Sequence, residues 1–135
     1  MRLLNTVTFQ LEEFFDVTIP PYAILSHRWE DEELTFQNLK IGGYGPLKGY
    51  AKVRNACRVA CLDGWKYIWM DTCCINKSSS SELSEAINSM FKWYRMAEVC
   101  YAYLSDVPST SGTSSRTSQH YLNNSAFRRS KWFSE

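Results

Sequence analysis

Residues Tyr67-Ile68-Trp69-Met70-Asp71-Thr72-Cys73-Cys74-Ile75-Asn76 constrain the fold more than any other stretch. Four apolar residues run straight into an acid, a hydroxyl and two thiols, and a serine run follows. A short, continuously apolar strand of this kind fits burial on both faces, as inside a parallel sheet. Polar groups collected at the carboxyl end of such a strand are where open α/β sheets place ligand sites. Tyr22-Ala23-Ile24-Leu25 repeats the pattern and ends in Ser26-His27-Arg28-Trp29-Glu30-Asp31. The two ends are expected to share one pocket.

Between these strands the chain reads as a crossover helix. Tyr50, Val53, Cys57, Ala60 and Cys61 recur at helical spacing from Lys48 to Asp63, and Gly64 stands where a left-handed residue would close the helix. One or two helical turns are expected over residues 34–39, followed by a glycine- and proline-rich loop at residues 41–46. Ser79-x-x-Glu82 has the form of a capping box, and Leu83, Ala86, Ile87, Met90, Tyr94 and Ala97 form one apolar stripe behind it. Val99 to Leu104 is a third strand. The order β-α-β-α-β predicts an α/β fold with a three-layer, mostly parallel, right-handed sheet. Three strands rarely bury both faces of such a sheet, so the domain is expected to be incomplete. Residues 1–21 read as a lead-in segment and 22–107 as the α/β domain. Residues 108–125 read as a Ser/Thr-rich flexible loop, and 126–135 as the start of a further helix.

Fifteen basic residues against fourteen acidic ones leave the chain nearly neutral, which gives no electrostatic case for a nucleic-acid or anionic-membrane partner. The amino terminus carries Glu12, Glu13 and Asp16 and no long apolar run, so it does not read as a signal peptide, and no stretch reaches the length of a membrane span. A soluble, cytoplasmic protein is expected. Cys57, Cys61, Cys73, Cys74 and Cys100 then read as reduced thiols acting as small apolar residues. Their spacing lacks the short pairs and the nearby histidines of a zinc site, so no metal is expected.

Three motifs taken in order resemble the fungal heterokaryon-incompatibility (HET) domain. They are Tyr22-Ala23-Ile24-Leu25-Ser26-His27-Arg28-Trp29, then Tyr67 through Asn76, then Glu82 through Met90 to Trp93-Tyr94-x-x-Ala97. HET domains look like relatives of TIR domains, which have a flavodoxin-like sheet and of which some cleave NAD or signal by self-assembly. Leu25-Ser26-His27-Arg28-x-Glu30-Asp31 is similar to the TIR first-strand motif, and Asp71 has a counterpart on the second strand. The resemblance implies a flavodoxin/TIR-like fold and a non-self recognition module working through protein association to trigger growth arrest or cell death. Its partners would be other HET/TIR-like modules or itself. An NAD glycohydrolase and an inactive fragment are the alternatives. NAD is the cofactor the resemblance admits, although the TIR-type catalytic glutamate segment has no match here and Glu135 is not assigned that role.

Ser26, His27, Arg28, Trp29 and Asp71 are the candidate nucleotide-binding residues: arginine for phosphate, tryptophan for base stacking, serine and histidine for hydroxyls. The structural alternative is that Trp29 packs over the sheet edge, while His27 and Arg28 satisfy loop carbonyls and the acids at residues 30–33. Glu82 is the one weak catalytic candidate, for general-acid or ribose-binding work, and helix capping, the favoured reading, explains it without chemistry.

Overall fold

The computed structural model describes residues 1–107 and 129–131. Its centre is a five-stranded sheet of β1 (Arg2–Asn5), β2 (Leu11–Glu13), β3 (Ala23–His27), β4 (Tyr67–Trp69) and β5 (Val99–Tyr103) in the order β2-β1-β4-β3-β5. The three strands expected from the sequence are its parallel part. Ala23 pairs with Ile68 and Ile24 with Trp69 on one side of β3, while Ala23 to His27 pair with Val99 to Tyr103 on the other. The chain leaves β3 toward β4 and then crosses back to β5, so β3 is central and its two neighbours lie on either side of a switch point. The fold is α/β with a mostly parallel sheet: β1 alone runs against the other four strands.

Residues 1–21, expected only as a lead-in, supply the remaining two strands. β1 pairs antiparallel with β4, Leu4 opposite Ile68, and β2 folds back on β1. The turn between them is built by Asn5, whose side-chain oxygen accepts from the backbone N–H groups of Val7 and Thr8. Leu3 and Leu4 are fully buried, so this hairpin covers the outer edge of β4 that a three-stranded sheet would have left open.

Helices lie on both faces of the sheet. α2 (Lys48–Leu62) ends in a Schellman motif: Gly64 at φ +92° donates to Cys61 O, and Trp65 donates to Ala60 O. Val53, Ala56, Cys57 and Ala60 form its buried face. α3 (Ser80–Met96) covers the opposite face, where Trp93 and Tyr94 meet the Trp69 ring and Trp93 O accepts from the Tyr22 hydroxyl at 2.6 Å. A short helix, α1 (Phe36–Ile41), is capped by Thr35 and Asn38 acting reciprocally. Met70, Cys73 and Cys74 continue the core beyond β4. The expected loop at 108–125 lies outside the described residues, as does the expected helix at 126–135 apart from residues 129–131. No helix among the described residues is long and apolar enough to cross a membrane.

Candidate functional site

The alternation of side chains along β3 sorts the candidates. His27 points to the α2 face, where its Nε2 lies 2.9 Å from Asp71 Oδ1 and its Nδ1 lies 3.3 Å from Lys52 Nζ. Nδ1 also lies 3.2 Å from Arg28 O, and Nε2 is the ring nitrogen aimed at Asp71. Trp29 Nε1 donates to the other oxygen, Oδ2, at 2.7 Å. Lys77 completes the group, with Nζ 3.3 Å from the centre of the Trp29 ring. Burial pushes the Asp71 carboxyl up, but the bonds from His27 and Trp29 and the nearby charges of His27 and Lys77 outweigh it and hold the group below the usual carboxylate range.

The sequence did not point to what stands behind this cluster. Lys52 Nζ is buried among Glu33 Oε1 at 2.5 Å, Arg28 O at 3.2 Å and Glu30 Oε2 at 3.6 Å. Glu33 is as buried as Lys52, and its Oε1 also accepts from Glu30 N at 2.8 Å. Position 52 stands one turn from Gly49 and Ala56 on the buried side of α2, and a lysine on an apolar helix face was the available signal. The acidic run at residues 30–33 thus folds inward at Glu33 to meet that lysine.

Ser26 and Arg28 do not join the Asp71 cluster. Ser26 alternates onto the α3 face and bonds to the Tyr94 side chain. The Arg28 guanidinium donates to the carbonyl of Lys131. Arg28, Trp29 and Glu30 instead form one wall of a crevice of about 280 Å³, whose other walls are residues 103–106 at the carboxyl end of β5 and Lys131. The crevice therefore opens between the carboxyl ends of β3 and β5, at the switch point, rather than between β3 and β4 where the sequence placed it. Asp71 flanks it through Trp29. A hydrogen bond from Ser105 keeps Glu30 low; burial opposes this, and Lys52 and His27 assist. The crevice thus presents ionised acceptors, suited to hydroxyl or amide donors rather than to proton donation.

Glu82 lies elsewhere. Ser79 Oγ caps Glu82 N as the motif requires, but the Glu82 carboxylate bonds Arg2 and the backbone N–H of Asn76 instead of returning to Ser79. Burial raises this group, and those two donors together with the Arg2 charge lower it further than burial lifts it. It lines a different cavity, beside Arg2 and Ile75. The five cysteines are free, and Cys57, Cys73 and Cys74 are buried. Among the described residues no three or more His, Cys, Asp or Glu side chains stand where they could hold a metal ion.

Comparison with known proteins gives a consistent result. The family model for "Heterokaryon incompatibility protein (HET)" matches residues 22–134. The chain is 49% identical over 117 residues to the vegetative incompatibility protein HET-E-1 of Podospora anserina, a match that takes in 85% of this chain and 8% of that protein. The chain thus spans a small part of the length of the curated relative it matches. No solved structure matches it. On the family match and this identity, the chain belongs to the heterokaryon incompatibility (HET) family.

Proposed function

We propose that this chain serves fungal self/non-self recognition as a cytoplasmic, TIR-like signalling module. Its association with copies of itself or with other HET/TIR-like modules would trigger growth arrest or cell death. The observations that support association are the outer side of α3, where Ile87 is 63% and Phe91 80% exposed, and β5 with its exposed Cys100, which stands at the edge of the sheet among the described residues. Large apolar side chains on one helix face beside unpaired strand edges are interaction surfaces. Light scattering over a range of protein concentrations tests this. The mass is expected to rise with concentration, and Phe91→Glu is expected to keep the chain monomeric. A wild-type chain that stays monomeric and is inert when expressed in cells refutes the reading.

A second reading, an NAD glycohydrolase, is favoured by the crevice itself, which sits at the switch point with Trp29 and Arg28 on its wall. In this reading NAD would enter beside Trp29, with the ionised Glu30 and Asp106 accepting from ribose hydroxyls. Incubation with NAD and measurement of released nicotinamide tests it, and absence of turnover removes it.

A further inference from the structure

We infer that the groove between the amino-terminal hairpin and α3 is a docking site for a cationic, apolar-anchored peptide segment of another protein, separate from the association proposed above. Two cavities of about 310 and 170 Å³ adjoin there, sharing Met1, Phe15, Glu85 and Trp93. Their apolar lining includes Phe14, Ile19, Ile75, Trp93 and Met96. Phe15 stands on the rim at 71% exposure, and Val17 in the short turn that follows it (Asp16–Thr18) is 99% exposed. An elongated groove with an apolar floor and a protruding aromatic edge accepts the apolar side chains of a peptide.

Charge selects the kind of peptide. Arg2 and Glu82 neutralise each other across the groove. That leaves Glu13, Asp16 and Glu85 against Lys92 and the Met1 ammonium, which donates to Phe14 O, and among the described residues the side chains of those three acids have no hydrogen-bond or ion-pair partner. Three carboxylates against two cations keep the rim of this apolar floor net acidic, which complements lysine or arginine interspersed with apolar anchors and repels nucleic acid and anionic lipid.

The test is fluorescence anisotropy of a labelled amphipathic leucine–lysine peptide titrated with the whole chain, beside a leucine–glutamate peptide of the same pattern. The lysine peptide is expected to bind, with the glutamate peptide at least about tenfold weaker. Glu13→Lys/Glu85→Lys is expected to weaken binding about tenfold, and Phe15→Ser about fivefold. All three positions are exposed, so the fold is retained, and circular dichroism verifies it. Phe91→Glu, roughly opposite the groove by helical spacing, is expected to leave peptide affinity unchanged while it abolishes self-association. No binding, equal affinity for the two peptides, or unchanged affinity in the Glu13/Glu85 variant overturns the proposal. So does loss of self-association in that variant, which would make a second copy the occupant.

Discussion

Replacing Gly49 with alanine tests whether the acidic loop and α2 are locked together. A Cβ built at Gly49 would lie 2.6 Å from Glu32 O, 2.7 Å from Leu34 N and 2.8 Å from Glu33 Cα, all backbone atoms with no rotamer to escape into. Alanine ordinarily gains about 1 kcal/mol over glycine in a helix. Here that gain is opposed by about 1–3 kcal/mol of overpacking, and by about 1 kcal/mol for the Gly49 N–H bond to Glu32 O, 3.0 Å long in the native fold. Moving the loop also draws Glu33 from Lys52, and opening a buried pair costs about 3–5 kcal/mol when it is complete. Partial loosening therefore brings the net loss to about 2 kcal/mol, or roughly 5–10 °C in melting temperature for a domain of this size. Thermal and urea unfolding followed by circular dichroism read it. Gly45→Ala is the control, since nothing lies within 4 Å of its Cβ position. A Gly49→Ala chain as stable as the parent refutes the close-approach argument.

Other outcomes follow from the same geometry. Lys52→Met alone and Glu33→Leu alone are each expected to cost about 3–5 kcal/mol by urea unfolding, because each strands a buried charge, whereas the double variant costs far less than their sum. Asp71 has a folded pKa below its unfolded value, so its contribution is present above about pH 3.9 and is lost as pH falls through the folded pKa. Asp71→Asn should accordingly be less stable than the parent at neutral pH, and the gap in urea midpoint should close in acid. Burial pushes Cys57 up to about 12, and a hydrogen bond with Cys74, with burial second, lifts Cys73 well above its ordinary value. A thiol reagent is therefore expected to modify the exposed Cys61 and Cys100 in the native chain, and the buried three only on unfolding.

The parallel half of the fold was readable because its signals are strong and local. Three apolar strands flank two amphipathic helices, and each helix boundary carries a chemical marker, Gly64 at the end of α2 and Ser79 at the start of α3. The hairpin was not readable for the opposite reason. β1 and β2 span Arg2–Asn5 and Leu11–Glu13, too short for alternation to show, and their turn uses an asparagine side chain and Phe9 at φ +57° in place of a glycine. Their pairing is decided by the exposed edge of β4, a tertiary demand that no window of sequence contains.

The site shows the same division at finer scale. Sequence order named the residues at the carboxyl end of β3 as one group, but a strand points successive side chains to opposite faces, so Ser26 and His27 were bound to separate once the register was set. His27 went to the side where α2 carries Lys52, and Asp71 met it because β4 is hydrogen-bonded beside β3. The crevice, by contrast, depends on β5 lying on the far side of β3, a consequence of crossover direction rather than of any motif. Motif spacing therefore identified which side chains leave the sheet at this end, and topology decided which of them meet. For that reason Trp29 is the informative position for the crevice: it is anchored to Asp71 beyond β4 and borders the space opened by β5.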